Sequence, residues 1–211
     1  MALNFVTELL DVAPIDIIAG MSKTFTKDLP DALMSATLKE QALDMDFLWV
    51  SETGSAARNS LTSGLTMTPT HSFEDCPTLD IAIIGAHRYG YTPTEKEVNF
   101  VRKTYASCAA MLTICGGIAV PLQAGILSGK TATGPRFELD MLRTLAPGVK
   151  WVERRWVRDG SLWTSGALLN GLDMARAFVE QVWRRERAEL VQWLSYHGSW
   201  VSRELDYGDG H

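Results

Sequence analysis

A chain of 211 residues, 46% hydrophobic and 21% charged, has an ordinary globular composition and fits one domain. A net charge of −5 without a long Lys/Arg block speaks against nucleic acid as a partner, and no apolar run approaches the roughly 20 residues that span a bilayer. Three cysteines form neither a metal-ligand pattern nor an even-numbered framework, so the chain reads as cytoplasmic, with reduced thiols, no metal and no cofactor.

In chain order, MALNFVTELLDVAP carries acidic residues and lacks a basic leader, so it does not read as a signal peptide. Residues 2–6 can form a short strand, and 9–22 read as a helix with Pro14 near its start. Residues 23–44 are polar and read as loop plus a short helix. Residues 46–51 read as a strand and 53–64 as polar turns or a hairpin. The run DIAII, 80–84, is a buried strand. In 94–108, Thr94 and Glu97 form a capping-box pattern ahead of Val98, Val101 and Tyr105 at helical spacing. AMLTI, 110–114, is a second buried strand, and helical pattern resumes after Cys115 and stops at Gly129. Residues 137–145 are helical and end before Pro147-Gly148. Residues 150–158 read as a strand, LWTS as another, and 170–194 as one long helix. Alternating strands and helices predict an α/β fold with a mostly parallel sheet, whose sites lie at the carboxyl ends of the strands. Two loops satisfy that rule: Gly85–Gly90 and Cys115–Gly117.

The segment MLTICGGIAV places Cys115 where a buried strand turns directly into a helix. A residue at such a corner is strained, neighbouring glycines relieve crowding, and free N–H groups of the helix start favour a thiolate. The amide of Gly116 is then available to a developing oxyanion. The bland reading is that Cys115 is a small buried hydrophobe. Cys76 and Cys108 read as structural.

A thiolate needs a proton-transfer partner. Glu8 and Asp11 lie in TELLDVAP, and His87 lies in the loop after DIAII; Asp11 is equally well a helix-start carboxylate, and His87 a pocket-wall residue. His71 reads as a surface residue, and His197 and His211 belong to no constellation. Tyr89, Tyr91, Arg136, Phe137 and Trp163 are candidates for a substrate pocket, with ordinary packing as the alternative for each.

From Glu8 to Trp183 the chain resembles the DJ-one/ThiJ/PfpI superfamily, in its isonitrile-hydratase-like and fungal branch. The resemblance rests on ELLDVAPIDII, PTHSFEDCPTLDIAIIG, LTICGGIAVPLQAGILSGKTAT and WVRDGSLWTSGALLNGLDMARAFVEQVW, in that order. It implies a flavodoxin-like three-layer sandwich, commonly a homodimer, with Cys115 as the reactive cysteine and Asp11 as the acid that hydrogen-bonds it. It also implies an oxyanion site from the amides of Gly116 and of the Gly85–Ala86 loop. This sequence departs from the family in three places: no glycine stands between Ala13 and Pro14, His87 follows Ala86 in the amide loop, and Pro135 stands where many members carry a histidine.

The leading expectation is a cysteine-dependent enzyme acting on a small electrophilic carbon, an isonitrile-hydratase-like hydro-lyase. In it Cys115 attacks, Asp11 or His87 moves the proton, and Gly116 and Ala86 hold charge. The alternatives are a biosynthetic tailoring enzyme of the same fold (cyclisation, dehydration or hydrolysis) and a non-catalytic redox or stress sensor. The whole chain reads as one domain, with a C-terminal helical extension over about 184–211. In that extension Leu190, Trp193 and Leu194 recur at helical spacing and serve either packing or a dimer contact.

Overall fold

AMLTI is apolar or β-branched at each position and all five residues are buried, which is how a strand covered on both faces reads. In the computed structural model, which describes residues 7–208, this segment is one of the two inner strands of a four-stranded sheet. A short helix α1 (Leu9–Val12) comes first among the described residues; the strand expected over 2–6 lies outside them. The sheet then follows: β1 (Ile81–Ile84), helix α2 (Glu95–Ser107), β2 (Ala110–Ile114), helix α3 (Ala119–Gln123), helix α4 (Leu139–Leu145), β3 (Trp156–Asp159) and β4 (Leu162–Ser165). The strand order is β1-β2-β4-β3. The first two pairings are parallel, with Ile83 opposite Leu112 and Trp163 opposite Leu112, and β3 returns antiparallel against β4. The turn at Gly160, with φ +64°, closes that hairpin.

Two compact units divide the chain. One contains the described residues up to Val12, Leu48–Gly171 and those from Glu204; the other contains Ala13–Phe47 and Leu172–Arg203. In the first unit, Ile84, Met111, Ile118, Leu127, Leu142 and Leu162 belong to one buried apolar cluster beneath the sheet and its helices. In the second, Leu190, Val191 and Leu194 of the helix Ala188–His197 are buried, and Leu194 lies against Gly20. The packing reading of that C-terminal stretch therefore describes Leu190 and Leu194. Among the described residues no helix is long and apolar enough to cross a membrane.

Three long elements are shorter than the pattern predicts. The helix expected over 9–22 breaks at Ala13, because Pro14 has no N–H to offer and takes the first turn of a new helix, Pro14–Ala19. The strand expected over 150–158 splits into Lys150–Trp151, which pairs with Thr131–Ala132, and β3. The helix expected over 170–194 is two, Leu169–Trp183 and Ala188–His197, and between them Arg187 lies outside helical geometry and donates its guanidinium to the Gln41 carbonyl.

Gly117 sets how closely the turn after β2 approaches the end of β1. A Cβ there would lie 2.4 Å from the Ile84 carbonyl oxygen and 2.7 Å from that of Gly85, with backbone on both sides of the contact. Gly117→Ala should therefore force the two strand ends apart and cost about 2–4 kcal/mol in urea denaturation. Gly148→Ala, where a Cβ meets nothing within 4 Å, serves as the control and should change stability far less.

Candidate active site

β2 ends at Ile114 and the chain passes at once into a single 3-10 turn, Cys115–Ile118, and then α3. Cys115 takes φ +56°, a conformation that costs a non-glycine residue about 1–3 kcal/mol and persists where surrounding packing imposes it. The near contact at Gly117 is that packing. Cys115 keeps 7% of its surface exposed, and the Gly116 N–H donates to its sulfur.

The acid arrives from far upstream. Thr7 accepts from the Thr62 amide and donates its own N–H to the Ser60 carbonyl, which anchors the segment leading into α1. Helix α1 then turns Asp11 fully inward. Oδ2 of Asp11 accepts the Ala86 N–H at 2.7 Å, whereas Oδ1 is buried and has no hydrogen-bond partner among the described residues. Sγ of Cys115 and one carboxylate oxygen from each of Glu8 and Asp11 lie within 4.8 Å of one another. Such a group of a thiol and two carboxyls can also ligate a cation.

Electrostatics correct the expectation of a thiolate held by a helix start. Burial pushes the Cys115 thiol up to about 12, the Asp11 charge pushes the same way, and the Gly116 amide opposes them. The helix that should have stabilised a thiolate is one 3-10 turn followed by five α residues, too short to outweigh desolvation and a facing carboxylate. Burial likewise raises Asp11 to about 7, against the pull of the Ala86 hydrogen bond. The Asp11 carboxyl therefore ionises well before the thiol does. With both protons on, the site holds a thiol and a neutral acid; losing the first leaves one proton to pass between oxygen and sulfur.

The other sequence candidates distribute unevenly. Ala86 was expected to serve an oxyanion, but its amide is committed to Asp11. Trp163, expected in a pocket wall, is instead buried in β4, its ring 5.6 Å from that of Trp156 and 4.9 Å beneath the Arg158 guanidinium. Arg136 turns to Glu153 at 2.8 Å and lies 4.4 Å over the Tyr207 ring. Tyr89 is 84% exposed. Cys76 and Cys108 are half-buried, with thiols raised by burial. His71 is half-buried and its Nδ1 meets Thr70, while His197 packs its ring against Trp193 and Tyr196.

The His87 side chain is buried, and its Nε2 lies 3.1 Å from the Glu97 carboxylate. Thr94 caps α2 as expected, accepting the Glu97 N–H at 3.1 Å. The Glu97 side chain does not close the box. It is fully buried and receives both the Tyr91 hydroxyl, at 2.5 Å, and the His87 ring. Its helix-start position hid this role in the sequence, and only the nearby GAHRYGY loop hinted at it. Glu138, whose charge also raises the Cys115 thiol, carried no sequence signal.

The model of the DJ-1/PfpI family matches residues 32–181. The chain is 36% identical to the isonitrile hydratase of Pseudomonas putida over 132 residues, which covers 62% of this chain and 57% of that one. It is 30% identical over 99 residues to a deglycase of Pyrococcus horikoshii, covering 46% and 52%. These alignments thus span little more than half the length of the curated relatives. A ThiJ/PfpI family protein of Pseudomonas syringae superposes with a TM-score of 0.75 at 18% identity, over 100% of this chain and 77% of that one. DJ-1 of Schizosaccharomyces pombe superposes with a TM-score of 0.66 at 18% identity, over 96% and 98%. At these identities the two structures establish the fold, an α/β flavodoxin-like sandwich.

The raised Asp11 makes stability depend on pH. Its native value of about 7 exceeds the unfolded 3.8, so the native state binds the proton more tightly. That contribution is fully present below pH 3.8 and is lost as pH rises through 7. Asp11→Asn, which still accepts the Ala86 N–H, should be more stable than the parent at pH 8 by on the order of 2–4 kcal/mol and about equal at pH 4, read by urea denaturation. Alkylation of Cys115 by iodoacetamide should rise through about pH 7 in the parent, and that step should be absent in Asp11→Asn.

Proposed function

The chain belongs to the DJ-1/PfpI family, and from that premise we propose that it is an enzyme that hydrates isonitriles through Cys115, the activity in the name of its Pseudomonas putida relative. The observation that carries the reading is the group of the Cys115 sulfur with the Asp11 and Glu8 carboxyls within 4.8 Å. A buried thiol is a weak nucleophile until a base removes its proton, and a carboxylate of raised proton affinity is matched to that task near neutral pH.

In this mechanism the Sγ–H proton passes to Asp11 as Sγ bonds to the terminal carbon of R–N≡C. Asp11 returns the proton to that carbon, giving the thioimidate Cys115–S–CH=N–R. The Gly116 amide, already directed at the sulfur, steadies the charge that builds there. Water then adds to the same carbon and the nitrogen takes up a proton. The C–S bond breaks, the formamide R–NH–CHO leaves, and sulfur recovers its proton. One water is consumed, with no oxidant or reductant. A linear, neutral isonitrile also suits a nucleophile ringed by Asp11, Glu8 and Glu138, where an anionic substrate would be repelled.

The homodimer implied by the family resemblance is part of the proposal. Sedimentation velocity at micromolar concentration should give twice the 23.3 kDa chain mass, and a monomer would overturn that part.

Conversion of p-nitrophenyl isonitrile to the formamide tests the chemistry. Cys115→Ala should lower kcat/KM about a thousandfold or more, and Asp11→Asn by about a hundredfold to ten-thousandfold. Turnover that survives Cys115→Ala, or turnover of 2-oxoaldehydes in place of isonitriles, overturns the reading.

A further inference from the structure

We infer that Cys115, Asp11 and Glu8 form a binding site for a thiophilic divalent cation of the zinc class, and that the bound ion takes the nucleophile out of service. The binding stands apart from the isonitrile reading; only the loss of turnover that follows from it rests on that reading.

Distance is the first support. Sγ of Cys115 and one oxygen from each of the two carboxyls lie within 4.8 Å of one another. A tetrahedral zinc ion holds sulfur at about 2.3 Å and oxygen at about 2.0 Å, so its ligand atoms stand roughly 3.3–3.5 Å apart. The three groups need to close by at most about 1.5 Å, an adjustment that side-chain torsions provide.

A buried oxygen with nothing on it is the second. Asp11 is fully buried, and its Oδ2 accepts the Ala86 N–H at 2.7 Å. Its Oδ1 has no hydrogen-bond partner among the described residues. With Oδ2 held by the amide, Oδ1 is the oxygen open to an ion shared with Sγ and Glu8. Coordination would give that oxygen the partner it lacks, and the Ala86 amide would be the outer contact that orients a metal-ligating carboxylate. An ion about 2.0 Å from oxygen needs less room than a water hydrogen-bonded at about 2.8 Å, so burial that keeps water off Oδ1 does not keep out a dehydrated ion.

The donor set selects the ion. One thiolate and two carboxylates suit zinc or cadmium, whereas magnesium and calcium take oxygen ligands and copper(I) selects sulfur. The charges of Asp11, Glu8 and Glu138 all bear on this sulfur, so the local field favours a cation. Glu8 is half-buried and gives the ion a route from solvent. As the sulfur–metal bond forms, the Sγ–H proton leaves to water, and no oxidant or reductant takes part. A sulfur whose lone pair is held by the ion cannot attack carbon.

Calorimetry with zinc chloride should show one ion bound per chain. Cadmium chloride should bring up an ultraviolet sulfur-to-metal charge-transfer band in the parent, and Cys115→Ser, which keeps Cys76 and Cys108, should lack it. Glu8→Gln and Asp11→Asn should each weaken zinc binding about tenfold to a hundredfold or more. Glu8→Gln alters only the half-buried member of the group, and an unchanged urea midpoint would show its fold intact. Zinc at about a hundred times its Kd should slow iodoacetamide alkylation of Cys115 about a hundredfold, with EDTA restoring the rate, and should lower isonitrile turnover in the same proportion. No zinc binding, magnesium binding as tight as zinc, a cadmium band that persists in Cys115→Ser, or zinc affinity unchanged in Glu8→Gln or in Asp11→Asn overturns the site and leaves the isonitrile reading standing. Zinc binding in a parent that turns over no isonitrile overturns that reading and leaves the site standing.

Discussion

The hydrogen bond from the Ala86 amide to Asp11 joins two segments 75 residues apart in the chain, and the site depends on it. It holds a carboxyl inside the protein, beside a sulfur that is itself nearly buried. Desolvation raises the proton affinity of both groups, and the Asp11 charge raises the thiol further, so the site keeps a proton into neutral pH. The same bond fixes the loop that carries His87. One donor thus orients the acid, sets where the loop runs and excludes the Ala86 amide from any other task.

Such a site is held against its own preferences. Cys115 sits at positive φ, Asp11 is buried with one oxygen unpartnered, and Nδ1 of His87 is unpartnered too. Each costs stability that the surrounding core supplies, chiefly β2, buried along its whole length, and the apolar cluster around Met111 and Leu162. The glycine at 117 converts that packing into geometry, because only a residue without a Cβ lets the turn press against the carbonyls of Ile84 and Gly85.

The parts of the fold that were legible are those where one local signal was strong and nothing distant opposed it. AMLTI and LWTS became strands at the bounds read from their apolar runs, and Thr94 capped the helix it was read to start. The misread segments are those where a local break competed with a continuous pattern. At Pro14 the missing N–H defeated the helical periodicity, and between the last two helices Arg187 bonds the Gln41 carbonyl, a partner 146 residues away that no window of sequence contains. Glu97 shows the limit within the site: its pattern with Thr94 was real, but the carboxylate's partners, His87 and Tyr91, were chosen by the path of the intervening loop.

From the sequence alone came the α/β order of elements, the sharp corner at Cys115 and the short list of acids and imidazoles able to serve it. Those features are written in neighbouring residues: hydrophobic runs, glycines and caps act over a few positions. Tertiary structure alone decided that Asp11 takes the Ala86 amide, that Trp163 and Arg136 are occupied elsewhere, and that the thiol is raised where a helix start would have lowered it. Burial and charge–charge distance are properties of the packed chain, and they outweigh a one-turn dipole once water has been removed.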